Sequence, residues 1–225
     1  MQKIYLILIL VLLKTGMHAQ DFKFGKVSKE EVLEKEHPVH KEASAAVLYR
    51  SVNTYYIFSQ NTGFSLITDV QERIKIYNKD GFDWANHEVK YYKSGNTREK
   101  ITSLKGSTFN LVNGKLEEEK LKKNGIFEQD VTNYQISTKF TMPGVTEGSV
   151  IEYQYTLVSP FPYSIDDIRL QYTIPINKLE ASVKIPEYLN FKMHPNPQSM
   201  LDIKVQETKN NSSYTLTSSE RTTST

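Results

Sequence analysis

The chain contains no cysteine. That excludes, within these 225 residues, disulfides, thiolate metal sites, a cysteine nucleophile and the lipidated cysteine of a bacterial lipoprotein. Long apolar runs are nearly as scarce: Ile4 to Leu13 stands alone, interrupted only by Tyr5. It is too short to cross roughly 30 Å of hydrocarbon as a helix. Neither sign of charge dominates, with 28 Lys and Arg against 26 Asp and Glu. No basic stripe marks the chain for nucleic acid, and neither a Gly-rich phosphate loop nor a nucleophile elbow is present.

The apolar run follows Lys3 and leads to Met17-His18-Ala19, the layout of a secretory signal peptide over residues 1–19. Cleavage after Ala19 removes Lys3 and Lys14 and leaves 26 basic against 26 acidic residues. The expectation is an exported protein, periplasmic or extracellular, with one domain over residues 20–225 and no stable membrane anchor once the signal is removed.

What remains reads as strand and turn. Ser28 and Glu31 have the spacing of a capping box, which predicts a short helix ending before His37-Pro38. Ala43–Tyr49 is apolar on both alternating sets, and Tyr55–Phe58 continues it. Phe64–Tyr77 puts Phe64, Leu66, Val70, Ile74 and Ile76 on one face and Asp69, Gln71, Arg73 and Lys75 on a polar one, with Glu72 breaking the pattern. Asn78–Gly81 reads as a turn and Phe82–Tyr92 as a returning strand. Ile101–Val112 alternates with a slip near Leu104–Gly106, the mark of a bulge. Asn113-Gly114 predicts a type I′ turn that sets Leu111 opposite Leu116, and Glu117–Lys120 a solvated edge.

Tyr134–Met142 and Val150–Val158 alternate on either side of Pro143–Ser149, which predicts an antiparallel hairpin with one wet face. Alternation recurs at Ile168–Ile174 and Leu179–Ile185, with weaker pieces at Leu201–Val205 and Tyr214–Leu216 and a Ser/Thr-rich tail over residues 217–225. Many short strands with hardly any helix predict an all-β fold, an antiparallel two-sheet β-sandwich with one short N-terminal helix.

Chemistry is thinly marked. His37 and His40 flank Pro38-Val39, a spacing that suits loop residues better than metal ligands; His87 and His194 have no sequence-visible partner. Glu147, Glu152, Asp166 and Asp167 could supply a carboxylate pair for a hydrolase, but they read more simply as turn residues and, for Glu152, a polar strand face. No catalytic, metal or cofactor site is expected. Fourteen Tyr and ten Phe give a binding role its candidates: Tyr55, Tyr56, Trp84, Tyr91 and Tyr92, since each Tyr-Tyr pair in a strand sends one ring outward. The ligand would be an envelope polymer such as a glycan, or a peptide.

Phe24–Glu31, Ala43–Tyr49 and Arg73–Gly81 together resemble domain of unknown function 3857. Thr108–Leu111 with Asn113–Lys115, Phe140–Pro143 with Glu147–Tyr153, and Leu170–Tyr172 before Ile174-Pro175 carry the resemblance further. It implies an N-terminal β domain of exported bacterial proteins in which a transglutaminase-like domain with a Cys-His-Asp site follows. With no Cys here, none of that site's residues can be placed. The resemblance implies a truncated or split-gene product: a non-catalytic accessory or interaction module whose partner is a transglutaminase-like domain.

Overall fold

The structure, a computed structural model, describes residues 22–192. Residues 1–19, the predicted strands 201–205 and 214–216, the tail 217–225, His18 and His194 lie outside them. A compact unit ends at Leu189, and a second begins at Asn190.

Helix α1 (Lys29–Leu33) begins where expected: the Ser28 side chain accepts from Glu31 N–H, and Glu31 reaches back to the Ser28 amide at 2.6 Å. Ten strands follow among the described residues: β1 (Ala45–Ser59), β2 (Gly63–Ile76), β3 (Asn86–Ser94), β4 (Thr97–Arg98), β5 (Lys100–Val112), β6 (Lys115–Lys120), β7 (Ile126–Thr132), β8 (Gln135–Thr141), β9 (Val150–Ser159) and β10 (Leu179–Val183). They form a six-stranded sheet ordered β10-β1-β2-β9-β5-β6 and a four-stranded sheet ordered β4-β3-β8-β7. The all-β, two-sheet expectation holds. One pairing departs from it: β10 runs parallel to β1, Arg50 opposite Leu179, whereas the other ladders are antiparallel.

The expected hairpin does not form. β8 pairs with β3 and β7, while β9 pairs with β2 and β5, so the two arms belong to different sheets. Pro143–Ser149 is a corner between them, sewn to the end of β2 by Ile76 N–H to Ser149 C=O (2.9 Å) and Gly148 N–H to Ile76 C=O (3.0 Å). Gly148 has φ +86°, the left-handed conformation this corner needs.

Asn113 and Gly114 take φ 51° and 76° and set Leu111 opposite Leu116, as the turn chemistry predicts. The slip near Leu104 is a bulge between Thr102 and Lys105. Two segments differ from expectation. Lys79–Ala85 is a 3-10 helix capped by Asn78, so β3 starts only at Asn86. Ile168–Ile174 forms no strand; its alternation marks inward contacts of an irregular segment, with Tyr172 and Ile174 packed on the core.

The main core lies between the sheets, where Val47, Ile74 and Ile76 meet Phe140, Met142, Ile151 and Tyr153. A second core lies on the opposite face of the six-stranded sheet, where Val27 and Val32 from the α1 segment cover Leu48, Phe109 and Val150. That sheet is therefore covered on both faces beneath the α1 segment, while Ser51, Asn53, Asp69 and Thr156 farther along its outer face are half-buried.

Candidate functional site: a charge clamp and an open polar shelf

The covered part holds charge. Arg73 and Glu152, expected on polar faces, are both fully buried. Alternation placed them correctly on the outer side, but the α1 segment lies over them. Arg73 Nη2 donates to Glu152 Oε1 (2.8 Å) and to the Lys23 carbonyl (3.0 Å), and Nη1 to Glu31 Oε1 (2.9 Å). Glu152 also accepts from the Gly25 amide (2.8 Å) and from Gln71 Nε2 (3.0 Å). The planar guanidinium suits this task because its fork reaches three acceptors at once. Lys75, likewise buried, donates to the carbonyls of Val32 (2.7 Å) and Gly148 (2.6 Å). Burial pulls its amine down to about 8, against the pull of Glu34 and Glu31. Phe22 stacks on Tyr49 at 4.4 Å and finishes the cover.

Glu72, which breaks the strand pattern, faces the other way. It pairs closely with Arg50 and accepts from Tyr172 Oη (2.9 Å) in the space between the sheets. His87 stacks on Phe140 (5.0 Å) and meets Tyr153 at a tilt (4.2 Å) nearby. Burial, with Arg50 adding to it, pushes its imidazole down to about 3, so it is neutral in ordinary buffers. These contacts join the two sheets.

Farther along, the outer face is polar. Ser51 and Asn53 of β1, Asp69 and Gln71 of β2, and Gln154 and Thr156 of β9 line a shallow depression of about 220 Å³. Register explains the grouping, since Ser51, Gln71 and Gln154 sit side by side in one row and Asn53, Asp69 and Thr156 in the next. Ser103 of the β5 bulge forms the rim, with φ 55° in a conformation uncommon for serine. Sequence reading passed over these residues because alternating Ser, Asn, Gln and Thr also describe an ordinary wet face; the bulge at Leu104 was the sole local signal.

The aromatic candidates do not converge. Tyr55 lies on the shelf side of β1 beside Asp69, which with burial raises its phenol. Tyr56 faces the other way and donates to the Pro162 carbonyl (2.8 Å). Trp84 packs on Tyr172 at 5.7 Å. Tyr91 is core, donating to Glu128 Oε2 (2.6 Å), while Tyr92 is exposed and meets Phe161 edge-on at 5.0 Å. Only Tyr55 adjoins the shelf.

The carboxylates sit in different settings. Glu152 is committed to Arg73, and Glu147 is exposed on its turn. Asp166 is raised to about 6 by burial and by its neighbours Glu99 and Asp167, but no hydrogen bond joins it to a hydroxyl or imidazole among the described residues. His37, expected in a surface loop, is buried: its Nε2 meets Asn177 Oδ1 (2.8 Å) and its Nδ1 accepts from the Val39 and His40 amides. It is a loop staple. Among the described residues no group of three His, Cys, Asp or Glu is placed to hold a metal, and no helix is long and apolar enough to cross a membrane.

The fold recurs in a crystal structure described as a "putative protease" from Parabacteroides distasonis, with 19% identity and a TM-score of 0.50. The likeness covers 64% of this chain and 29% of that one, so this chain spans under a third of that protein's length. A "putative nutrient binding protein" from Legionella pneumophila shares 6% identity over 52% of this chain and 40% of its own, with a TM-score of 0.25. No curated protein matches. Residues 65–221 match the family described as "Domain of Unknown Function with solved-structure structure (DUF3857)", and the chain belongs to that family.

Proposed function

We propose that this chain is an exported, non-catalytic β module that assists a catalytic domain of the transglutaminase-like or protease-like kind, holding or presenting that domain's substrate. The observation that carries the reading is the recurrence of this fold as a 29% portion of a longer chain described as a "putative protease". The charged side chains support it. Those that are buried tie the sheets and the N-terminal segment together, and the chain has no Cys nucleophile of its own.

The test uses purified protein from residue 20 onward, with casein, chromogenic peptides and peptidoglycan fragments as substrates. No turnover above buffer is expected. Titration against a recombinant transglutaminase-like domain with a Cys-His-Asp site should release heat and alter that domain's rate. Turnover that follows the protein through purification and vanishes in Asp166→Asn would overturn the reading, as would an absence of both heat and rate change with the partner.

A further inference from the structure

We infer that the polar shelf on the outer face of the six-stranded sheet binds a neutral saccharide, one or two pyranose rings of a longer glycan. This gives a place and a ligand class to a binding role, and it stands whether or not the module serves a catalytic domain.

Spacing comes first. Neighbouring strands lie about 4.8 Å apart and alternate residues on one strand about 6.7 Å, so two rows across β1, β2 and β9 present polar ends over roughly 10 by 7 Å. That is the scale over which one or two sugar rings distribute their hydroxyls.

Unused hydrogen-bonding capacity comes second. Gln154 is half-buried, yet no hydrogen bond to another described residue holds its amide. Asn53 spends its oxygen on Ser182 Oγ (2.7 Å), which leaves its NH₂. Gln71 spends its NH₂ on Phe22 and Glu152, which leaves its oxygen. Asp69 accepts from Thr156 Oγ1 (2.6 Å) and can accept again. The shelf thus offers both donors and acceptors. A hydroxyl both gives and accepts, so a polyol satisfies both kinds at once.

Charge and topology exclude the other ligand classes. No Lys or Arg lines the depression and one carboxylate does, which disfavours phosphate, sulfate and uronate. Val70 is the one aliphatic residue among those lining it, less than a lipid tail or an amphipathic helix would need. An extended peptide gains its affinity by adding to a free sheet edge, and β2 and β9 are paired on both sides. Tyr55, held beside Asp69, supplies a ring at the margin on which a pyranose C–H face can rest. The bulge that holds Ser103 at φ 55° is local strain at the rim, where strained backbone commonly marks a binding site.

The test is titration of ¹⁵N-labelled protein from residue 20 onward with chitotetraose, cellotetraose and maltotetraose. At least one should give saturable shifts at the Asn53 and Gln154 side-chain amides. Gln154→Ala and Asp69→Asn should each weaken binding roughly tenfold, the loss expected for one or two hydrogen bonds, with unchanged melting temperatures. Tyr92→Ala, on the other sheet, should bind as the parent does. The inference fails if no neutral oligosaccharide saturates at millimolar concentration. It also fails if binding survives both shelf substitutions intact, or if only a polyanion or a peptide shifts these amides.

Discussion

Replacing Arg73 with Met tests whether the buried clamp holds the N-terminal segment to the sheet. The substitution keeps much of the apolar stem and removes a cation with no solvent exposure that serves Glu152, Glu31 and the Lys23 carbonyl. Glu31 keeps its bond from the Ser28 amide, but Glu152 is fully buried and keeps only Gln71 and the Gly25 amide. Breaking a buried pair on one side costs about 3–5 kcal/mol, and the two remaining donors place this case in the lower half, near 3–4 kcal/mol. A domain of this size then melts roughly 6–16 °C lower. With m of about 2 kcal/mol/M, its urea midpoint falls by about 1.5–2 M. Trp84, half-buried against Tyr172, reports unfolding by fluorescence beside far-UV circular dichroism. Arg73→Met/Glu152→Met removes both charges and should recover most of the loss, because an apolar pair of similar volume is often as stable as a buried ion pair. A single variant that unfolds at the parent's midpoint, or a double variant that costs the sum of two singles, would refute the clamp.

Three further outcomes follow from the same packing. Lys75 gives up its proton near pH 8 in the fold, against an ordinary 10.5, so the unfolded chain binds more protons between these values. Stability relative to Lys75→Met should therefore rise from pH 8 to 10, by up to about 1.4 kcal/mol per unit; paired urea melts at three pH values would show a flat difference if the amine is solvated. His87 refuses a proton until about pH 3, while an unfolded His takes one near 6.5. The parent should thus lose stability relative to His87→Leu as pH falls through that window, and its ring C–H resonances should hold still from pH 8 to 5; a midpoint near 6.5 in the NMR titration would contradict the burial. A Cβ on Gly81 would meet the Ser44 carbonyl oxygen at 2.4 Å, so Gly81→Ala should cost about 1–3 kcal/mol in urea unfolding, and a neutral result would show that this crossing yields.

Local chemistry was legible in the sequence and partnership was not. The Ser28 capping box, the Asn113-Gly114 turn and the bulge after Thr102 are each fixed by a few adjacent residues, and each stands as expected. Strand faces were also legible, since alternation separates Ile74 and Ile76 from Arg73 and Lys75 whatever surrounds them. What covers a face was not. The α1 segment lies over Arg73 and Glu152 through contacts 42 to 127 residues distant in the chain, which no window of alternation contains. The same limit misjoined β8 to β9, because a corner and a hairpin use the same Pro and Gly residues. β7 escaped notice since Ile126–Thr132 is mostly polar and nearly all exposed, an edge strand without an inward apolar set. The shelf was hidden for a related reason: only its concavity and its unspent amides distinguish it from a wet strand face, and both depend on strands brought together from across the chain.

Glu72 and Arg73 are neighbours in the chain and point to opposite sides of one strand, and this gives them different places in time as well as in space. Glu72 meets Arg50 across the β1–β2 hairpin, 22 residues away, whereas Arg73 meets Glu152 only when β9 docks, 79 residues on. Closing the longer loop costs more chain entropy, and such distant pairings set the pace of folding in β proteins. One charge pair can form with the hairpin, and the other has to await the return of the distant strand. Two consecutive side chains thus tie one strand of the six-stranded sheet to a near neighbour in the chain and to a distant one.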